Sequence, residues 1–246
     1  MLVFSPPPAE VLLEKGSMHC WLVDMPSYYS QVSQVEHVLS AEESARASRF
    51  VRPKDADNYR VSHSALRCIL SRYVDLGPKD LIYNKSKYGK PSLEGGFPLS
   101  FNMSHSGDLA LIAVSSVGQV GADIECGREN TEYMEIAERF FTQKECHWLE
   151  GVSGEGEKRE SFLKLWACKE SYIKATGRGM MEPLDAFDVI EVSSGRMQLQ
   201  SAGGNIGWYL ETGSLDWRER HYALAIASEL PPSTRQNWMW TPLIGR

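Results

Sequence analysis

Residues 109–125 read LALIAVSSVGQVGADIE, and this stretch decides how the chain is organised. Leu109 to Ser115 is an uncharged apolar run of the length of one buried strand. Gly118 marks a turn, and Val120 to Glu125 resumes as a second strand. There Val120, Ala122 and Ile124 alternate with Gly121, Asp123 and Glu125, so one face is apolar and the other carries both carboxylates. The join at 115–120 separates two similar-sized halves, each with strands and packed helices. The expected fold class is α+β.

Upstream, residues 18–24 read as a first strand. Ser40 with Glu43 is a capping box that opens a helix bearing Arg46 and Arg49. A second helix is expected from Asp55 to about Tyr73, where Tyr59, Leu66, Ile69, Leu70 and Tyr73 recur at core spacing. Arg60 and Arg67 share another of its faces, and Gly77-Pro78 stops it. Downstream, helices are expected at about 131–149 and 160–176, split by a Gly/Glu-rich loop at 151–157. Strands follow at 187–193, 197–200, 207–212 and 221–228. Residues 231–246, opening on Pro231-Pro232, read as a peripheral tail. The expected domains are therefore 1–117, 118–230 and the tail 231–246.

Composition bounds the class. The 246 residues are 42% hydrophobic and 24% charged, which is ordinary globular usage and excludes disordered, collagen-like and coiled-coil chains. No apolar run is long enough to span a bilayer. The N-terminus runs into three prolines without a basic region, so no secretory signal is expected. Five scattered cysteines with no CxxC argue against a disulfide framework or zinc ribbon and favour a reducing, cytoplasmic setting. The net charge of −6 is uneven. Residues 44–92 hold eleven basic and four acidic residues, net +7, which leaves −13 for the rest. That window suits an anionic ligand or a solvated helix face. A nucleic-acid partner is not expected, because no motif for one occurs.

Three constellations carry chemistry. Asp123 and Glu125 lie about 7 Å apart along one strand face and repel by about 2 kcal/mol at an effective dielectric of 20. A hard divalent cation would turn that repulsion into a site, since Mg²⁺ takes one or two carboxylates plus phosphate oxygens. By itself a D-x-E pair is more often the wet face of a strand. In SFLKLWACKESYIKATGRG, residues 161–179, Phe162, Leu165, Trp166 and Ile173 form a buried stripe, and Gly177 caps the helix. Glu170 and Lys174, four apart, make either a surface ion pair or a metal-associated carboxylate beside a phosphate-binding cation. In FNMSHSGDLALIAVS, residues 101–115, a Ser-His-Ser turn offers hydroxyls, an imidazole and backbone N–H groups to phosphate oxygens, although a lone turn histidine is usually structural. Serine-hydrolase and zinc-protease readings fail, because neither GxSxG nor HExxH occurs.

Together and in this order, these segments resemble the 4′-phosphopantetheinyl transferases, in particular the larger monomeric type that activates peptide and polyketide synthetases. The resemblance rests on Tyr88-Gly89-Lys90-Pro91, Phe101 to Gly107, Val120 to Glu125, Arg139-Phe140-Phe141 before Glu145, and Trp166 to Lys174, and it covers roughly residues 18–228. Two departures are Ala122, where the family more often has Ile or Val, and Glu43, where some relatives carry a basic residue near the nucleotide.

The resemblance implies two α/β subdomains related by a pseudo-twofold axis, with the site at their junction. The implied reaction moves the 4′-phosphopantetheine arm of coenzyme A onto a serine of an apo acyl, peptidyl or polyketide carrier protein. Adenosine 3′,5′-bisphosphate is the by-product. Asp123, Glu125 and Glu170 would hold Mg²⁺ against the pyrophosphate. Lys90, Ser104, His105 and Lys169 would serve the coenzyme, with Arg46 and Arg49 nearby. Lys174 would stabilise the departing phosphate, and Glu170, Glu145 or a metal-held water would take the serine proton. A metal-dependent nucleotide phosphohydrolase would use the same carboxylates to activate water. A carrier-binding module without catalysis would have no use for Lys174.

Overall fold

The computed structural model describes residues 3–127 and 131–242. The first half contains β1 (Ser17–Asp24), the short α1 (Val32–Val35), α2 (Ala41–Ala47) and the long α3 (Pro53–Leu70). A small ribbon of β2 (Tyr83–Lys85) and β3 (Pro91–Leu93) follows, then the hairpin of β4 (Ser100–Ser106) and β5 (Leu109–Ser115). The second half runs through β6 (Val120–Cys126), α4 (Tyr133–Phe140), α5 (Gln143–Glu150) and α6 (Glu155–Thr176). It continues with β7 (Asp188–Ser193), β8 (Arg196–Ser201), β9 (Gly204–Asn205), β10 (Tyr209–Trp217) and β11 (Arg220–Ser228). Last comes β12 (Thr234–Met239). One sheet has the order β12-β1-β5-β4, and the other β6-β11-β10-β8-β7 with β9 beside β8. The fold is α+β.

Strict alternation along four strands builds the layers. Trp21 and Val23 of β1, with Ala110, Ile112 and Val114 of β5, face Val61, Ala65 and Ile69 of α3. The opposite faces of the same strands carry Met18, Cys20, Leu22, Leu109, Leu111 and Ala113. These meet Val120, Ala122 and Ile124 of β6 and Leu224 and Ile226 of β11. The far face of β11 is Ala223, Ala225 and Ala227, and it packs with Leu165, Cys168 and Ile173 of α6. The order of layers is therefore α3, first sheet, second sheet, α6. Small residues beneath α6 let that helix lie close. At Gly121 the requirement is absolute, because a Cβ there would stand 1.9 Å from the Ser171 carbonyl oxygen and 2.4 Å from the Ala175 nitrogen.

The structure corrects four expectations. The tail is not peripheral. β12 pairs in parallel with β1, and Trp238 and Trp240 are buried in the first half's core. Pro231-Pro232 only bends the chain back; the burial of two indoles then fixes the strand. The Ser-His-Ser segment is not a turn but the end of β4, with the turn at Gly107-Asp108. The single helix expected over 131–149 is two, because Thr142 is itself an N-cap that forms a capping box with Glu145. Finally, α6 starts at Glu155, so the last three residues of the Gly/Glu-rich segment are helical.

One core residue sets an acid limit on stability. His19 is buried, and its Nδ1 lies 3.0 Å from the Tyr73 hydroxyl, which accepts from Trp21 Nε1 at 2.7 Å. An imidazolium here would be a charge stranded in the core, so the folded imidazole is neutral. Burial pulls the His19 pKa down from 6.5 to about 4. As pH falls from 6.5 to about 4 the unfolded chain takes up a proton that the folded one refuses. Stability is then lost at about 1.4 kcal/mol per pH unit. Urea unfolding across this window is expected to show a slope one proton steeper for the parent than for His19→Gln; equal slopes would mean that His19 charges freely in the folded protein.

Candidate active site

β4 and β6 are outer strands of different sheets, and they lie side by side at the junction of the halves. Side chains of one strand bind them together. Asn102 Oδ1 accepts from Ala122 N at 2.9 Å. Ser104 Oγ donates to Asp123 Oδ1 at 2.8 Å. Ser106 Oγ donates to Glu125 Oε2 at 3.2 Å and accepts from Cys126 N at 3.1 Å. The period-two pattern Asn-x-Ser-x-Ser of β4 is thus matched to β6, Asn102 to its backbone at Ala122 and the two serines to its carboxylates Asp123 and Glu125. Asn102 was not among the expected site residues, and this strand-to-strand match is the signal that would have found it.

α6 supplies the third wall. Lys174 Nζ lies 2.5 Å from Asp123 Oδ1 and donates to Ser104 Oγ at 2.9 Å. The expected Glu170–Lys174 helix pair is therefore not what holds Lys174; the buried aspartate across the junction does. Glu170, one turn earlier, lines a cavity of about 600 Å³ together with Lys174, Met103, Lys90, Tyr88 and Arg139.

The carboxylates resist ionisation in each other's company. Burial raises the pKa of Asp123, and Lys174 only partly opposes this. Burial, then the Asp123 charge, pushes Glu125 up to about 7, and the same two causes raise Glu170. Asp123 Oδ2 is buried with no hydrogen-bond partner. Among the described residues no three His, Cys, Asp or Glu side chains are grouped so that they could hold a metal ion by themselves. An unused buried carboxylate oxygen and a hard all-oxygen donor set still fit a cation such as Mg²⁺, which keeps waters and takes substrate phosphates as further ligands.

Residues 119–227 match the model of the 4′-phosphopantetheinyl transferase superfamily, and residues 25–117 match that of the 4′-phosphopantetheinyl transferase N-terminal region. The 4′-phosphopantetheinyl transferase HetI of Nostoc sp. is 33% identical over 200 residues, covering 80% of this chain and 84% of HetI. The chain belongs to the 4′-phosphopantetheinyl transferase family. The transferase Sfp of Bacillus subtilis is 29% identical over 209 residues, 85% of this chain and 90% of Sfp. The L-aminoadipate-semialdehyde dehydrogenase-phosphopantetheinyl transferase of Xenopus laevis is 27% identical over 217 residues, 79% of this chain and 72% of that one.

Within this transferase, not every expected site residue reaches the cluster. Ser104, Asp123, Glu125, Glu170 and Lys174 come together, and His105 is exposed beside them. Although the residue keeps exposed surface, the protein packed around its ring partly desolvates it, and this, then the Lys174 charge, lowers the His105 pKa. Arg46 is exposed on α2, its guanidinium 5.5 Å from the centre of the Tyr59 ring, whereas Arg49 is exposed just past the end of α2, so the helix expected to bear both carries only Arg46. Lys90 lines the cavity, but its ammonium is turned away. It donates to Gln119 Oε1 at 2.8 Å, Val120 O at 3.0 Å and Ala175 O at 2.7 Å, so it works as a strut between the halves. Burial pulls its pKa down to about 8.

Glu145 and Lys169 lie outside the site altogether. Lys169 Nζ is fully buried, 2.8 Å from Glu145 Oε2, and donates to Leu184 O and Phe187 O. Glu145 also accepts from Thr142 N and Val189 N, which leaves it no free oxygen for a substrate proton. Helix packing takes the other basic candidates. Arg67 pairs with Glu43 at 2.6 Å, and Arg60 with Glu36 and Asp57.

Proposed function

We propose that this chain moves the 4′-phosphopantetheine arm of coenzyme A to a serine hydroxyl of an apo carrier protein and releases adenosine 3′,5′-bisphosphate. The observation that carries the reading is the junction cluster. A buried aspartate with an unused oxygen and two carboxylates of raised pKa adjoin a lysine, and that lysine, Lys174, and one of the carboxylates, Glu170, line a cavity of about 600 Å³. Asp123, Glu125 and Glu170 would hold Mg²⁺, which when bound neutralises pyrophosphate charge. Residues 1–117 receive the nucleotide end, and 118–230 carry the carboxylates, the two halves forming a pseudo-twofold pair.

In this reading the carrier serine Oγ attacks the phosphorus attached to the pantetheine arm. The bond from that phosphorus to the bridging oxygen breaks, and the bridging oxygen leaves with the nucleotide. Glu170 takes the serine proton. It lines the cavity, and its raised pKa makes it a better base than an ordinary surface carboxylate. Lys174, held on Asp123 and Ser104, presents its charge to the departing phosphate. Such transfers depend mainly on positioning and charge neutralisation. The five cysteines stand free of disulfides, which supports a reducing, cytoplasmic setting. No helix among the described residues is long and apolar enough to cross a membrane. A monomer is the proposed working state.

Mass spectrometry of several apo carrier proteins, after incubation with enzyme, coenzyme A and Mg²⁺, tests this directly. A gain of one phosphopantetheine arm on serine is expected, and relative rates rank fatty-acid, polyketide and peptide carriers. Hydrolysis of coenzyme A at the same rate without any carrier would replace the reading with a phosphohydrolase.

A further inference from the structure

The cavity that Glu170 and Lys174 line has a further carboxylate on its wall, Glu182, which the transfer step does not use. Gly177, at φ +67°, ends α6, and the chain folds back until Glu182 meets the last turns of that helix. The Tyr172 hydroxyl donates to Glu182 Oε1 at 3.2 Å and fixes the side chain. Oε2 is less well served. The Thr176 hydroxyl lies 3.4 Å from it, but its one proton goes to the Ile173 carbonyl oxygen at 3.0 Å. That leaves Oε2 the mostly exposed Arg178 guanidinium at 3.9 Å. A carboxylate so placed repels phosphates, so it is out of place in a cavity meant for a polyanion alone. Phe140, Ile173 and Leu184 line the same cavity and make it partly apolar.

We propose that Glu182 selects for the pantetheine arm of the coenzyme: Oε2 accepts from an uncharged donor of the arm, its hydroxyl or an amide N–H, while the methyl and methylene groups of the arm lie on Phe140, Ile173 and Leu184. The inference rests on the transferase reading, which puts the pyrophosphate at Glu170 and Lys174 and so starts the arm in this cavity. The arm carries no charge, and its donors match an acceptor that phosphates must avoid. The adenine amino group is another uncharged donor of the coenzyme, and a ligand that has the adenine without the arm tells the two apart.

Calorimetry on the full chain at fixed Mg²⁺ makes that comparison, with coenzyme A and adenosine 3′,5′-bisphosphate as ligands. The proteins are the parent, Glu182→Leu and Glu182→Gln. Losing a hydrogen bond to a charged group should raise Kd for coenzyme A ~10-fold or more in Glu182→Leu. Glutamine keeps an acceptor oxygen and should recover part of that loss. The bisphosphate should bind both variants as tightly as the parent or tighter, because a carboxylate that repels its phosphates has gone. A damaged fold would weaken both ligands, and a change of charge alone would tighten both; only a contact with the arm weakens coenzyme A by itself. KM for coenzyme A in carrier transfer should follow its Kd. Coenzyme A binding that does not weaken, or that weakens in step with the bisphosphate, overturns the arm contact and leaves the transferase reading intact. Parent protein that neither binds coenzyme A nor modifies a carrier overturns the reading and the contact together.

Discussion

Asp123→Ala is expected to lose Mg²⁺-supported transfer by ~10³-fold or more while its thermal stability stays level or rises. The two halves of that result have one cause. Asp123 is 1% exposed, and burial raises its pKa even with Lys174 2.5 Å away. A carboxyl whose folded pKa is raised takes up protons more readily in the folded state than in the unfolded one. Its ionisation therefore lowers stability as pH rises above the unfolded value, and at pH 7 the charge is a burden on the fold. Alanine removes that burden and leaves Lys174, which is 29% exposed, free to turn to water. The lost activity has no such compensation. Asp123 Oδ2 is the buried oxygen with no other partner, and Oδ1 fixes both Lys174 and Ser104. A loss of ~4 kcal/mol of transition-state stabilisation corresponds to that ~10³-fold fall. Adding Glu125→Ala should worsen it little, because residues that act as a unit are not additive. Melting curves and initial rates on one preparation check both halves; transfer within tenfold of the parent would remove Asp123 from the site.

Much of this arrangement is legible in the sequence, for physical reasons that also mark where legibility stops. Val120 to Glu125 discloses its two faces because strand side chains alternate with period two. The capping box at Ser40 and Glu43 is equally local. Nothing local announces β12. Thr234 to Met239 lacks apolar alternation, and its pairing with β1 depends on Trp238 meeting Trp21 across the whole length of the chain. Lys90 shows the same limit from another side. A lysine in a rigid turn looks available to a ligand, yet the close approach of Gly177 to its stem and the carbonyls of Val120 and Ala175 claim the ammonium. Lys169 and Glu170 are neighbours in the family motif. Successive helix residues point about 100° apart, so Glu170 faces the cavity and Lys169 faces the core.

That geometry makes Lys169→Met a stability variant rather than a binding one. Lys169 Nζ has no exposed surface, and its three donors are all used, by Glu145 Oε2 and by the carbonyls of Leu184 and Phe187. Methionine fills much the same volume but strands the buried Glu145 carboxylate without the ammonium that lies against the Phe141 and Phe187 rings. Removing one partner of a buried pair destabilises by about 3–5 kcal/mol. In a chain of this length that is a fall in Tm of ~10 °C. Glu145→Gln should fall by a smaller amount, since its amide oxygen can still accept from Val189 N. Combining the two should be less harmful than the sum, because each removes the charge that the other leaves unpaired. Rates taken well below the lowered Tm should show KM for coenzyme A within about threefold of the parent for both. A Lys169→Met protein that melts with the parent but needs tenfold more coenzyme A would instead return Lys169 to the coenzyme. The same pattern in Glu145→Gln, with kcat lost and Tm unchanged, would return Glu145 to proton transfer. The fully satisfied hydrogen bonding of the pair predicts neither.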